Sequence, residues 1–202
     1  MDSIQYQNTM RNDIINKARE IQGWLRDDEY DIVYDLAQKH VKRGGHVVEV
    51  GSWKGKSAFI WASVCKEKSA WLTCIDTFSG IEDINSEPNL HGTYKEAFSD
   101  PKAFFENNIK NNLEGLPVSY IKGLSREKHK EVRDGTIDIC FIDADHKYPE
   151  VVRDIKNFLP KVKKGGILCG HDYEEDPGDV KRAVDEIFSP IEVKSTIWIY
   201  KK

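Results

Sequence analysis

Two short segments gather acids and imidazoles in a way that suits cation and proton chemistry. The apolar run Ile139 to Ile142 delivers Asp143, Asp145 and His146 in one turn, and the run Ile167 to Cys169 delivers Gly170, His171 and Asp172 in another. Hard divalent cations such as magnesium take oxygen ligands from a few carboxylates, whereas manganese, iron or zinc also accept an imidazole. Asp143, His171 and Asp172 could form such a set. His146, with an ordinary pKa of about 6.5, is the better-matched general base at neutral pH, and Asp145 is the second candidate. The plainer alternative is that Asp145 and His146 cap a helix beginning near Tyr148, and that His171 and Asp172 form a polar turn after a buried strand.

A third segment, VVEVGSWKGKS from Val47 to Ser57, has the form of a nucleotide-binding turn. A buried strand ends, Gly51 allows a tight turn, and Gly55 allows close approach to the first turn of the next helix. Glu49 narrows the ligand, because a carboxylate this near the turn favours a cationic, nucleoside-containing molecule over a triphosphate. The Gly55-Lys56-Ser57 triplet invites a phosphate-loop reading. That loop requires glycine at position 50, where Val50 stands.

These residues need a scaffold that brings strand ends together, and the hydrophobic pattern supplies one. After an amphipathic region from Asn12 to Lys42, short apolar runs at His46 to Val50, Trp71 to Ile75, Val118 to Ile121, Ile137 to Ile142 and Gly166 to Cys169 read as five parallel strands. Helical patterns alternate with them at Lys56 to Lys66, Lys102 to Asn112, Arg126 to Val132, Pro149 to Leu159 and Val180 to Phe188. Ile191 to Lys194 and Thr196 to Tyr200 can pair as an antiparallel hairpin at the sheet edge. The expectation is a doubly wound, Rossmann-like α/β fold, with a seven-stranded, mostly parallel sheet and ligands at the strands' carboxyl ends. Residues 1–202 read as one domain, with 1–42 a helical region and the polar interval 79–101 a substrate lid. Trp53, Phe78, Tyr94, Tyr148 and Tyr173 flank the proposed turns and could stack on a ring or form wall and core.

Composition narrows the setting. With 202 residues, 39% hydrophobic and 32% charged, the chain has material for one sizeable core. A net charge of −4 offers no general attraction for nucleic acid, and no stretch is apolar enough to span a bilayer. Cys65, Cys74, Cys140 and Cys169 lie far apart in apolar runs, as reduced buried thiols do, so a cytoplasmic setting is expected. His40, His46, His91 and His129 are isolated and read as surface or cap residues. The apolar faces of the N-terminal helices must be covered, either by a homodimer partner or by their own sheet.

Together, VVEVGSWKGKS, LTCIDTFSG, IKGLSRE and ICFIDADHKY, set in this order of strands, resemble the class I S-adenosylmethionine-dependent methyltransferases from about Val41 onward. The resemblance implies that Glu49, Gly51, Gly55 and Ser57 surround the methionine part of S-adenosylmethionine. Asp76 would hold the ribose hydroxyls, Gly123, Leu124 and Ser125 would edge the adenine, and Asp143 would lie beside the cofactor. The second cluster resembles that of metal-dependent O-methyltransferases acting on sugars and catechol-like substrates, which bind magnesium with an acid after the fourth strand and a pair after the fifth. Here His171 is the first of that pair. The implied reaction is O-methylation of a hydroxyl on a sugar or small metabolite, with Mg or Mn acidifying the acceptor and His146 or Asp145 taking its proton. Two other classes remain: a non-catalytic binder of the same cofactor, and a nicotinamide-dependent oxidoreductase, for which Trp53 stands where the second glycine belongs.

Overall fold

The computed structural model describes residues 3–78, 100–174 and 178–202. Its described strands form one seven-stranded sheet: β1 (His46–Val50), β2 (Trp71–Asp76), β3 (Val118–Lys122), β4 (Ile137–Ile142), β5 (Val162–Gly170), β6 (Glu192–Lys194) and β7 (Ile197–Lys201). They lie in the order β3-β2-β1-β4-β5-β7-β6. The first five are parallel, and β7 runs antiparallel to both β5 and β6. The order steps outward from β1 to β3 and then restarts at β4 on the other side of β1. A crevice therefore opens between the carboxyl ends of β1 and β4, where ligands bind in such sheets.

Alternation along the strands gives the sheet two apolar faces. Val47, Leu72, Cys74, Ile139, Phe141 and Ile167 share one core with α1 (Ser3–Glu20), α2 (Glu29–His40) and α3 (Lys56–Glu67). Helix α3 is buried on most of its circumference because it lies between the sheet and the two N-terminal helices. Ile15, Val33, Leu36 and Ala37 of α1 and α2 are buried in this chain's own core. On the opposite face, Val48, Val50, Cys140, Ile142 and Leu168 pack with α6 (Tyr148–Phe158) and α7 (Asp179–Ile187). Helix α6 starts with Pro149 in its first turn and buries Val151, Asp154, Ile155 and Phe158, the i, i+3, i+4, i+7 stripe of a helix on a sheet.

The Lys102 to Asn112 pattern forms a short α4 (Pro101–Phe104) that widens into a π turn over Phe105–Lys110. Phe104 and Ile109 are both buried there, although residues five apart lie roughly 140° apart on an α-helix, so the wider turn puts both into the core. After β3, a short α5 (Ser125–Lys128) passes into a 3₁₀ turn. The interval read as a lid, with Tyr94 and His91 in it, lies outside the described residues except for its last two positions. No helix among the described residues is long and apolar enough to cross a membrane. All four cysteines are buried and free.

Candidate active site

Three turns meet at the crevice because the parallel pairing continues past the strand ends. Gly51 donates its N–H to the Ile75 carbonyl at 2.9 Å, Asp143 to Val50 at 2.8 Å, and His171 to Ile142 at 3.1 Å. Gly51 has φ +85°, and a Cβ built on it would lie 2.0 Å from the Asp143 carbonyl oxygen. The turns are thus pressed together at a point only glycine can occupy. Trp53 and Phe78, after β1 and β2, and Asp172, after β5, hold left-handed φ of 46°, 50° and 59°. Such conformations cost about 1–3 kcal/mol each and collect where surrounding structure imposes them.

Glu49 lies beneath the first turn. It is fully buried, and neither carboxylate oxygen has a hydrogen-bond partner among the described residues. Burial pushes its pKa up to about 8, with the Ser57 and Ser52 hydroxyls, close by but outside hydrogen-bond geometry, opposing and the Asp143 and Asp76 charges adding to the rise. A buried acid left in this state is suited to a cationic ligand group.

Asp76 does a job that its position in the sequence does not reveal. Its Oδ2 accepts the N–H groups of Ser52 and Trp53 at 2.8 and 3.0 Å, and its Oδ1 accepts that of Phe78 at 2.8 Å. The carboxylate therefore fixes the glycine turn, and with the Thr77 hydroxyl as a fourth, long contact on Oδ1 at 3.5 Å its roughly four acceptor positions are taken, so that a ribose hydroxyl would displace Thr77. Burial raises its pKa against those backbone donors. Gly123 is tied to this strand end by its N–H to the Asp76 carbonyl at 2.8 Å. Leu124 leads into α5, and the Ser125 hydroxyl donates to buried Asp154 at 2.6 Å. Burial raises Asp154 to about 6.

At β4 and β5, ligand-type atoms of Asp143, His146 and Asp172 all lie within 4.8 Å of one another. His146 Nε2 is 3.0 Å from Asp172 Oδ2 and 3.9 Å from Asp143 Oδ1, with its side chain 59% exposed at the rim. The Asp143 and Asp172 carboxylates that it faces hold its pKa up at about 10, against partial burial. Both nitrogens of His171 face carboxylates: Nδ1 is 3.2 Å from Asp172 Oδ2 and Nε2 is 2.9 Å from Glu29 Oε2. Burial opposes a proton on His171, but Asp172 and Glu29 outweigh it and raise the pKa to about 11. Asp172 is held well below the usual carboxylate range, its burial outweighed by the two imidazoles. Asp145 is exposed and accepts the Lys147 N–H at 2.9 Å, a turn contact ahead of α6.

The aromatic residues divide between site and scaffold. Trp53 packs against Phe104 and Trp24, with ring centroids 5.0 and 6.0 Å apart. Phe78 is core, against Phe105 and Tyr120. Tyr148 and Tyr173 bond Glu186 and Asp185 of α7. Buried His46 bonds Thr73 at 2.9 Å. Glu29 and Trp24 had no sequence signal, since neither belongs to a motif and Glu29 lies 142 positions from the histidine it bonds.

A family model of a methyltransferase domain matches residues 48–173. An uncharacterized protein of Acanthamoeba polyphaga mimivirus is 33% identical over 153 residues, 72% of this chain and 59% of that protein. The chain spans less than two thirds of the length of the curated relatives it matches. Among solved structures, the O-methyltransferase NovP superposes with a TM-score of 0.67 at 18% identity, covering 100% of this chain and 99% of that one. The calicheamicin methyltransferase CalS11, also described as a TDP-rhamnose 3'-O-methyltransferase, gives 0.59 at 14%, covering 100% and 94%. At these identities the likeness shows the shared fold.

Proposed function

The chain belongs to the methyltransferase domain family, and from that premise we propose that it moves a methyl group from S-adenosylmethionine to a hydroxyl oxygen of a sugar or other small metabolite, assisted by a divalent cation. The observation that carries this reading is the meeting, at neighbouring strand ends, of a buried acid with no hydrogen-bond partner among the described residues, under a glycine turn, with two carboxylates and an imidazole within 4.8 Å. NovP is an O-methyltransferase and CalS11 a TDP-rhamnose 3'-O-methyltransferase, which favours an oxygen acceptor and, through CalS11, a sugar.

Both groups suit the residues present. S-adenosylmethionine supplies a methyl that is already electrophilic on its sulfonium. Glu49 is assigned to a cationic group of its methionine part, Gly51, Gly55 and Ser57 to the turn around it, and Asp76 to a ribose hydroxyl in place of its long Thr77 contact. Gly123, Leu124 and Ser125 are assigned to the adenine edge. A magnesium or manganese ion would acidify a hydroxyl held against it. Asp143 and Asp172 would be its carboxylate ligands, and Asp143 is also assigned to the cofactor. His171 supports Asp172 because both of its nitrogens are engaged. His146 is assigned to take the acceptor's proton, and neutralising the carboxylates it faces would release it from Asp172 and return it to a range in which it accepts one. Asp145 shapes the turn that presents it.

The test is transfer of labelled methyl from S-adenosylmethionine to a panel of free and nucleotide-linked sugars and catechols, with magnesium, manganese or chelator. The expected result is cation-dependent transfer to oxygen, lowered about 10²–10⁴-fold in His146→Ala. Transfer indifferent to chelator and to Asp143→Asn would overturn the cation assignment.

A further inference from the structure

We propose that Glu29 is a positioning residue for the cation site, orienting Asp172 through His171 and making helix α2 part of the active site. This rests on the reading of Asp143 and Asp172 as cation ligands. Glu29 is 0% exposed at the start of α2. Its Oε2 accepts His171 Nε2 at 2.9 Å and the Arg26 N–H at 2.7 Å, while its Oε1 accepts the Thr196 hydroxyl at 2.5 Å and N–H at 3.3 Å. Four donors from three parts of the chain leave the carboxylate one orientation.

Packing alone does not call for an acid here, because an ion this deep carries a desolvation cost that an apolar residue would avoid. What the acid accomplishes is visible one bond further on. His171 is held by Nε2, so its Nδ1 is aimed at Asp172 Oδ2 at 3.2 Å, and the same oxygen receives His146 Nε2 at 3.0 Å. Asp172 itself sits in a left-handed turn with φ 59°. The contacts run from the core to the rim as Glu29, His171, Asp172, His146. Residues that hold a cation's ligands in this way commonly contribute 10–100-fold in metal affinity or activity. Glu29 lies outside the matched residues 48–173, so the cation site draws on α2 as well as on the matched strands.

The test is titration of the full chain with Mn²⁺, followed by water-proton relaxation, for the natural protein, Glu29→Gln and Glu29→Ala, with S-adenosylhomocysteine affinity and Tm measured on the same samples. Glu29→Gln keeps the volume and one acceptor, so it decides the matter if the alanine variant does not fold. The expected result is Mn²⁺ affinity weakened about 10–100-fold in the variants, with S-adenosylhomocysteine affinity within about twofold of the natural protein. Unchanged Mn²⁺ affinity, or loss of both ligands in step, would overturn the positioning role. No Mn²⁺ binding by the natural protein would instead overturn the cation reading on which it rests.

Discussion

Glu49 is the residue whose chemistry most depends on a ligand. Held near a pKa of about 8 by burial, it is mostly protonated at pH 7 in the free protein. A cationic group brought against it favours the carboxylate, so binding should expel a proton. The sign follows: affinity for S-adenosylhomocysteine rises with pH by up to about tenfold per unit below pH 8 and levels off above it. Calorimetry at pH 7 in buffers of different ionisation enthalpy should read release of nearly one proton, and Glu49→Gln should bind at least about tenfold more weakly with no proton release. Proton-neutral binding would remove Glu49 from the cofactor's cationic end. Of the residues in this site, the motif-borne ones were legible in sequence: Gly51, Glu49 and Asp143 follow from a strand, a turn and a charge. The second tasks of Asp76 and His171 were not, because hydrogen bonds to the Ser52 and Trp53 backbone and to Glu29 arise only once distant segments are packed.

At the scale of elements, the strands were legible because buried parallel strands are short apolar runs. His46–Val50 and Ile137–Ile142 end where the pattern ends. Strand β5 starts earlier than its apolar run, at Val162, because Lys163 and Lys164 extend it with Lys163 bonded to buried Asp138. The π turn at Phe105–Lys110 was not legible, since a helical period gives no sign of a locally wider turn. The β1 and β4 turns act as one unit through Gly51. Gly51→Ala should lower stability by at least about 2 kcal/mol, combining left-handed strain with contact on the Asp143 carbonyl. It should also weaken cofactor binding more than the loss of stability does. Thermal melts with and without S-adenosylhomocysteine check this, and a variant with unchanged Tm would refute the close approach.

Taken whole, the molecule brings the glycine turn above Glu49 and the cluster of Asp143, His146 and Asp172 to one crevice, at the point where strand order restarts between β1 and β4. Helices α1 and α2 cover α3, and α2 reaches the β5 end through Glu29. The central claim is that this crevice binds S-adenosylmethionine. Its most direct test is calorimetric titration of the folded chain with S-adenosylhomocysteine, beside Asp76→Ala. The account predicts one-to-one binding in the micromolar range that is lost in the variant; absence of binding by the folded natural protein would contradict it.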